Sequence, residues 1–429
     1  MPLTKNRKTL LAAGFFAVAG VAFSVLPSTA DAQYLERGRG VIDRPRPELD
    51  PLGVPVGGFL LFPQLTVGEE WNSNIFAQDD GLETDDFITH VQPSLNLISQ
   101  WSRHGARAFF QGDFAFYADN DGENYEDLAA GFNGRLDVVG DSSRPESFLR
   151  GGFTYRRQHE ERGSPDDVFG LEPTIYNVLS PTVGGVARFG RFGVSLDGTL
   201  NRFDFDDTEV AGGLRVNQDD RDRNEWLLAL QTSYQIQQEY EAFIRLTLNK
   251  RDYDDRFDDI GFERSSDGYE IIGGAQVDLT GLIFGDFFFG WRSQSYDDTR
   301  LTDIDGPTYG MGLTWNVTQL TSARFRISRT IEETTLGGAS GYFATDMRAN
   351  VDHELLRNLI LSANAGYAKN DYEGISREDD FYRFGISGKY LLNRYLYVTL
   401  GYGYEVRDSN VAGQDYDRNT VLLRLQGQL

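Results

Sequence analysis

Hydrophobic and polar residues alternate along much of this chain, most clearly over its last twelve residues, 418–429. Val421, Leu423 and Leu425 fall on one side of an extended backbone, whereas Arg424 falls on the other. A period of two over ten or more residues predicts a β-strand with one apolar face and one polar face. Residues 395–407 repeat the pattern, so the strand is the unit from which we expect the fold to be built.

Such segments follow one another from about residue 60 to the end of the chain. They are longer than the roughly five or six residues usual in soluble sheets, and about ten tilted residues are enough for a strand to cross a bilayer. We predict eighteen of them, near 60–76, 87–101, 105–118, 126–140, 147–160, 174–189, 192–205, 223–237, 241–252, 267–280, 282–296, 307–318, 323–334, 342–355, 359–369, 380–392, 395–407 and 418–429.

The connections between these segments alternate in length. Short turns are predicted at 102–104, 141–146, 190–191, 238–240, 319–322, 356–358 and 393–394. Long polar loops are predicted at 77–86, 119–125, 161–173, 206–222, 253–266, 297–306, 335–341, 370–379 and 408–417. Short periplasmic turns and long external loops are typical of outer-membrane barrels. We therefore predict an all-β, antiparallel, up-and-down transmembrane β-barrel of about eighteen strands, with both termini in the periplasm.

The N-terminus has the features of a targeting segment. Basic residues lie within the first eight positions, an apolar run covers 10–26, and an A-x-A site follows at 30–32. This order predicts a signal peptide over residues 1–32, the alternative being a retained membrane anchor. Residues 33–58 are rich in proline and arginine without an apolar period, which predicts a periplasmic extension. The barrel domain is then residues 59–429.

Composition narrows the functional classes. The chain has 429 residues, 47 glycines, 30 phenylalanines and no cysteine, and its formal net charge is −24. Without cysteine it has neither a disulfide framework nor thiolate metal sites, and the negative charge argues against binding nucleic acid. A mean hydropathy of −0.42 excludes a bundle of membrane helices. It leaves a barrel possible, because half of each strand faces water.

The long loops are acidic, and two readings of them remain open. They can form a solvated rim, or they can bind divalent cations, either as Ca²⁺ sites or as bridges to lipopolysaccharide phosphates. No loop has the spaced D-x-D-x-D-G ligands and distal glutamate of an EF-hand calcium site. We therefore predict neither a bound metal nor a cofactor. The weak loop candidates for a cation are Asp79, Asp80, Asp254, Asp255, Asp258 and Asp259.

The polar faces of the strands carry many arginines. Parity predicts that the lumen is lined by Arg107, Arg135, Arg150, Arg245, Arg292, Arg324, Arg326, Arg348, Arg383 and Arg424. Fewer acids are predicted on that face, namely Asp113, Asp137, Asp197, Glu241, Glu270, Asp278, Asp346 and Glu405. A surplus of arginine would attract anions. The alternative is a ladder of arginine–carboxylate pairs that serves only the structure.

Enzymatic chemistry finds little support. The chain has four histidines: His104 in a short turn, His159 near a strand end, His353 on an apolar face and His90, which we predict to point inward alone. Nucleophilic catalysis needs a histidine beside a nucleophile and an orienting group. We predict that the protein is not an enzyme.

Residues 50–76, DPLGVPVGGFLLFPQLTVGEEWNSNIF, resemble the opening of the putative beta-barrel porin 2 family, in which a strand of this kind follows a proline-rich tail. The rest of the chain is similar to that family in length, loop pattern and glycine- and aromatic-rich strands. Members are outer-membrane proteins often associated with exopolysaccharide secretion. The resemblance therefore implies a passive exit pore for a polysaccharide, but it identifies no functional residue.

Three functions remain as expectations. The first is an outer-membrane pore through which an exopolysaccharide leaves the periplasm, because a barrel of sixteen to eighteen strands can enclose an aqueous lumen. The second is a general diffusion porin for small solutes. The third is a plugged structural or adhesive barrel with cation-binding loops. The expected location is the outer membrane of a Gram-negative bacterium. Expected partners are outer-membrane lipid and lipopolysaccharide, the barrel-assembly machinery and the cargo.

Overall fold

The computed structural model describes residues 39–141, 144–279 and 281–429. The predicted signal peptide and the first residues of the predicted extension lie outside the described residues. The strands are β1 Val54–Val56, β2 Phe59–Asn72, β3 Asp86–Ser99, β4 Gly105–Tyr117, β5 Tyr125–Asp141, β6 Arg144–His159, β7 Ile175–Phe189, β8 Phe192–Phe205, β9 Thr208–Val210, β10 Leu214–Val216, β11 Arg223–Gln237, β12 Tyr240–Tyr253, β13 Ser266–Leu279, β14 Ile283–Tyr296, β15 Ile304–Thr318, β16 Thr321–Glu332, β17 Gly341–Leu356, β18 Leu359–Glu373, β19 Glu378–Asn393, β20 Leu396–Ser409 and β21 Tyr416–Gln428.

One antiparallel sheet of nineteen strands closes on itself. Eighteen of these strands, β2–β8 and β11–β21, form the barrel, and β2 pairs with β21 to complete the circle. The nineteenth strand, β1, forms a hairpin with the start of β2. Closure leaves no free edge among the eighteen barrel strands, as strands in lipid require, because no water is present there to satisfy backbone groups. The predicted fold class and strand number are confirmed.

The predicted alternation of connections is also present. Connections at one end of the barrel, such as Gly190–Arg191 between β7 and β8, are very short, and this end also holds β1 and the end of β21. By the outer-membrane rule we call it the periplasmic end. The other, external end carries the long loops, one of which holds the small β9–β10 hairpin. Register shifts precede several short turns, as between Gln235 and Gln237.

The first barrel strand is shorter than the predicted 60–76 because side chains turn the backbone after Asn72. The Asn72 Oδ1 accepts a hydrogen bond from the Asn74 backbone N–H at 3.0 Å, and the Asn74 side chain donates to the Gln78 carbonyl at 2.7 Å. These amide bonds replace ladder bonds and start the external loop. The predicted turn at 141–146 is narrower as well, because β5 extends to Asp141 and β6 begins at Arg144.

The two faces of the wall differ as the pattern predicts. The outer face exposes large apolar side chains, including Val183 at 70%, Phe289 at 65% and Ile386 at 63%. In a membrane these side chains would lie in the hydrocarbon region, whereas in water they would form a large exposed apolar band. Within the described residues, the helices are single turns of three residues, and none has the length or apolar character to span a bilayer.

Candidate functional site: the barrel interior

The inward face of the wall is identified by contacts that only the interior allows. Arg188 of β7 forms an ion pair with Glu241 of β12 at 3.0 Å, although β8 and β11 lie between these strands. Directly paired residues of neighbouring strands share a face, so register carries this assignment around the barrel. It places all ten arginines predicted to line the lumen on the inward face. Their part in binding a cargo is taken up below.

Six of the ten predicted arginines have a carboxylate partner. The ion pairs are Arg135–Asp137 at 2.5 Å, Arg150–Asp197 at 2.7 Å, Arg292–Glu270 at 2.5 Å, Arg324–Asp352 at 2.8 Å, Arg348–Asp346 at 2.8 Å and Arg383–Glu405. Much of the interior is thus the self-satisfying ladder that the sequence left as an alternative. The two members of each pair neutralise each other, and the pairs of Arg292, Arg324 and Arg383 also join neighbouring strands.

Among the other four arginines, two bond to amide side chains. Arg107 donates to the Asn96 Oδ1 at 2.6 Å, and Arg245 donates twice to the Gln231 Oε1, at 2.9 and 2.7 Å. Arg424 packs over Gly68, where a Cβ would lie 2.9 Å from its Cγ. Within the described part of the chain, Arg326 makes no ion pair, and its side chain is exposed to the lumen.

The register adds carboxylates that parity counting missed. Glu70, Asp127, Glu225, Asp286, Asp352 and Glu354 share the inward face with the eight acids predicted there. The interior is therefore less basic than expected. Likewise, His90 does not point inward alone, because its Nδ1 lies 3.0 Å from the Asp113 Oδ1. Such a pair lacks a nucleophile and identifies no reaction by itself.

A long external loop, residues 160–174 between β6 and β7, crosses the external mouth and is called the crossing loop here. Its Asp166 Oδ1 accepts hydrogen bonds from the Thr334 Oγ1 and the Thr335 N–H, both at 2.8 Å. These threonines belong to the loop between β16 and β17, and six strands, β8 and β11–β15, separate the two loops on the shorter way round. The crossing loop therefore spans the lumen.

Buried charges fix the base of the crossing loop. Arg162 pairs with Glu123 at 2.6 Å, and the carbonyl oxygen of Gly163 accepts a hydrogen bond from Arg407 of β20 at 2.5 Å. Burial raises the pKa of the Glu161 carboxyl, although Arg418 and His159 act in the opposite direction. One side of this loop is thus tied to the β4–β5 connection and to β20, which lie on either side of the barrel closure.

The opposing loop, residues 333–340, bends inward to meet the crossing loop. Glu333 accepts hydrogen bonds from Arg251 and from the Tyr253 hydroxyl of β12, although β13–β15 lie between. Arg264, 2% exposed at its side chain, donates to the Thr334 carbonyl at 2.6 Å and pairs with Asp258 at 2.7 Å. The external mouth is therefore narrowed from two opposite sides.

The acidic loop candidates separate in the structure. Asp258 pairs with Arg264, and Asp254 pairs with Arg202 at 2.6 Å, so an arginine side chain already neutralises each of these carboxylates. Asp255, Asp259 and Asp79 join no three-carboxylate group within the described residues. Asp80 does, with Glu83 and Asp417, whose ligand oxygens lie within 4.8 Å of one another. Exposed clusters of this size are common without an ion, so a cation at Asp80 stays the weak alternative that the sequence left open.

The N-terminal segment, residues 39–58, narrows the periplasmic end. Val41 is fully buried against Ile360, Leu391 and Tyr397 on the inward face. The Arg46 guanidinium is also buried and pairs with Glu354 at 2.8 Å. The sequence predicted an extension without an apolar period here, and a single buried valine leaves no periodic signal. Its docking is therefore a feature that pattern analysis missed.

Comparison with protein families identifies a family of porins. The model of the family described as Putative beta-barrel porin 2 matches residues 46–429. Among solved structures, the chain is similar to Pseudomonas aeruginosa OpdO, with 14% identity over 87% of this chain and 98% of that chain and a TM-score of 0.45. It is also similar to P. aeruginosa OccK2 (OpdF) in complex with glucuronate, with 10% identity over 86% and 98% of the two chains and a TM-score of 0.45.

OpdK of P. aeruginosa with vanillate is a further similar structure, with 10% identity over 86% of this chain and 99% of that chain and a TM-score of 0.43. No curated protein matches the chain. The family match covers nearly all of the described residues and agrees with the closed eighteen-strand barrel and its polar interior. The chain belongs to the putative beta-barrel porin 2 family and is a porin-like β-barrel of the outer membrane.

Proposed function

We propose that the protein is a passive pore for small hydrophilic solutes in the outer membrane of a Gram-negative bacterium. The carrying observation is the pair of loops that meet across the external mouth, where Asp166 bonds to Thr334 and Thr335. The polar inward face supports a hydrated path, and the loops limit the size of what can follow it. The docked N-terminal segment sets a second limit at the periplasmic end.

Export of an exopolysaccharide, which the family resemblance implies, is the second candidate. One observation leaves room for it: Asp166 is the side chain through which the crossing loop bonds to Thr334 and Thr335, so few hydrogen bonds must break to separate the loops. An extended glycan would still have to pass the N-terminal segment. Small solutes can pass without displacing the crossing loop or the N-terminal segment, which is why we favour them as the cargo.

The expected partners follow from the proposal. The exposed apolar band would lie in outer-membrane lipid, with lipopolysaccharide in the outer leaflet, and insertion would depend on the barrel-assembly machinery. The acidic external loops would face the phosphates of lipopolysaccharide through divalent cations, if Asp80 and its neighbours bind them. No cofactor enters the proposed transport, because diffusion through a pore requires none.

Conductance and solute flux test the proposal. Purified protein in planar bilayers should show discrete single-channel currents. In liposomes, swelling should slow from glucose to sucrose to raffinose as solute size increases. Asp166→Ala, which removes the bonds to both threonines, should admit raffinose faster, whereas Asp121→Ala, at an exposed external residue, should not. Absence of current and swelling would overturn the proposed function.

A deletion strain separates the two candidates. If cells lacking the protein secrete the normal amount of exopolysaccharide but take up small sugars slowly, the solute pore is supported. Loss of secreted polysaccharide with unchanged sugar uptake would instead support the exit pore and overturn our preference.

A further inference from the structure

We infer that Arg326 and Arg348 form a binding station in the lumen for the carboxylate of a small organic anion. This inference rests on the proposed function and names its substrate class. The two residues are direct cross-strand partners in β16 and β17, on the inward face. Like charges directly opposite each other destabilise a sheet, so the pair costs stability in the empty barrel. A bound anion would remove that repulsion.

Arg326 and Arg348 differ from the other inward arginines in their ion-pair partners and in the exposure of their side chains. Arg326 has no ion pair among the described residues, and Arg348 pairs with Asp346 at 2.8 Å while 42% of its side chain stays exposed. The side chains of Arg150, Arg292 and Arg324, by comparison, are 25%, 24% and 36% exposed beside their carboxylates. Of the ten predicted lumen arginines, Arg326 is the one that is both exposed and in no ion pair among the described residues, and the charge of Asp286, two strands away, acts on it.

Glycines leave the wall bare on both sides of the pair. Gly312 of β15 lies directly opposite Arg326, and Gly366 of β18 lies directly opposite Arg348. A Cβ on Gly312 would stand 3.4 Å from the Asp286 Oδ1, and one on Gly366 would stand 3.4 Å from the Arg383 Cβ. Larger residues at either position would fill the space beside the arginines. The two glycines thus create a shallow recess in which the guanidiniums can be approached from the lumen.

The charges around the recess leave a positive surplus. Arg245 and Arg326 both act on the carboxylate of Asp286, and Arg348 pairs with Asp346. Together these are three positive charges and two negative charges, a surplus of one. A single carboxylate would balance this surplus. The planar guanidinium matches a carboxylate by paired hydrogen bonds, which gives it preference over a point charge.

Such a site suits permeation, because a solute must bind well enough to enter and weakly enough to leave. Two half-exposed arginines in a hydrated lumen provide contacts of this moderate strength, whereas a fully buried pocket would retain the anion. The crossing loop limits the size of the solute, and this pair would select its charge. The predicted cargo is therefore a sugar acid or a similar small carboxylate.

Current block by a charged and a neutral sugar tests the station. In planar bilayers containing the full-length protein, gluconate should interrupt the current with a saturating concentration dependence, whereas glucose should not. Arg326→Gln and Arg348→Gln should each raise the half-blocking concentration about tenfold, since a hydrogen bond to a charged group is worth about 1.5–3 kcal/mol. Arg107→Gln, which also removes one inward charge without breaking an ion pair, should leave it unchanged.

The outcomes separate this inference from the proposed function. Normal sucrose swelling by the variants shows that they fold and conduct. If the wild-type pore conducts but gluconate does not block it, or if Arg107→Gln weakens the block equally, the station is refuted and the pore remains. If glucose 6-phosphate blocks at lower concentration than gluconate, the site selects phosphates and the carboxylate class is wrong. Absence of current refutes the pore itself.

Discussion

At the scale of the residue, the inward arginines divide by what they contact. Most stand beside a carboxylate, and Glu405 holds two of them: Arg383, and Arg418 at 2.6 Å. Because Glu405 is only 4% exposed, these charges depend on each other for the solvation that water would otherwise provide. We expect such residues to stabilise the wall, and the transport role that we propose belongs to arginines such as Arg326 that lack this partner.

The residue-scale prediction concerns Glu405. Glu405→Gln leaves the two arginines without their carboxylate, so the free energy of unfolding should fall by about 3–5 kcal/mol, the usual cost of breaking a buried pair. Denaturant unfolding in detergent, followed by heat-dependent gel mobility, measures it. Asp206→Asn breaks the exposed Arg157–Asp206 pair, which is 35% and 51% exposed, and should cost at most about 1 kcal/mol. Equal losses would contradict this division of arginines.

At the scale of the element, both ends of the barrel are narrowed by segments that are not barrel strands. The crossing loop bonds to a loop on the far side, and the N-terminal segment docks by Val41 and Arg46 on β16–β20. The N-terminal segment adds a small apolar contact at Val41 to its polar bonds, whereas the contacts described for the crossing loop are polar. These elements set the accessible width of the pore, whereas the barrel strands set only its outer limit.

The crossing loop should respond to pH through Glu161. Burial raises the pKa of this carboxyl in the docked loop above its ordinary value of 4.5, so the docked loop binds the proton more tightly than a free loop does. Docking should therefore strengthen as pH falls towards 4.5 and weaken at higher pH. Bilayer conductance should be lower at pH 5 than at pH 7.5.

A glutamine at this position removes the titrating group. In Glu161→Gln the difference in conductance between pH 5 and pH 7.5 should shrink, because the amide stays neutral throughout. The neighbouring charges Arg418, His159, Glu405 and Arg383 remain in the variant, so any pH response they cause will persist. An unchanged difference would show that Glu161 does not govern docking.

The N-terminal segment can be tested by a crosslink. A Cβ on Gly40 would lie 3.5 Å from the Cβ of Ser322, within the range of about 3.5–4.5 Å found in disulfides. The chain has no cysteine, so Gly40→Cys with Ser322→Cys creates one defined pair. Oxidation should change the gel mobility of the unfolded chain.

The conductance of that double variant decides what the segment does. We expect equal currents before and after reduction, because the buried Arg46–Glu354 pair and the β1–β2 hairpin hold the segment in place while the pore is open. The single variants serve as controls for the substitutions. Larger currents after reduction would show instead that the segment leaves the lumen and acts as a movable stopper.

At the scale of the whole molecule, the closed wall separates two solvents. Ile386 is 63% exposed on the outer face near the middle of β19, and its neighbour Ser387 faces inward. Ile386→Arg should destabilise the inserted barrel by about 2–4 kcal/mol, because it places a charge in lipid. Ser387→Arg, with the same new charge one residue away, should be tolerated. Unfolding in lipid vesicles measures both, and similar losses would contradict the assignment of the faces.

The extent to which sequence predicts this protein follows from the range of each interaction. Alternation within a strand is local, so eighteen strands, their parity and the alternating loop lengths could be predicted, as 418–429 and Ile386–Ser387 illustrate. The pairing of Arg150 with Asp197 also follows once strands are placed in register. Errors arose where one polar side chain stops a strand, as at Asn72, or where parity overlooked a carboxylate such as Asp286.

By itself, the sequence determined a closed antiparallel barrel with a lipid-facing side and a charged interior, because a period of two and alternating turns act over a few residues. Only the tertiary structure decided which charges are neutralised and what obstructs the lumen. Val41 meets Ser322 across 281 positions, and Asp166 meets Thr334 across 168. Contacts this distant form only when the barrel has closed and brought its far wall within reach, so no local pattern encodes them.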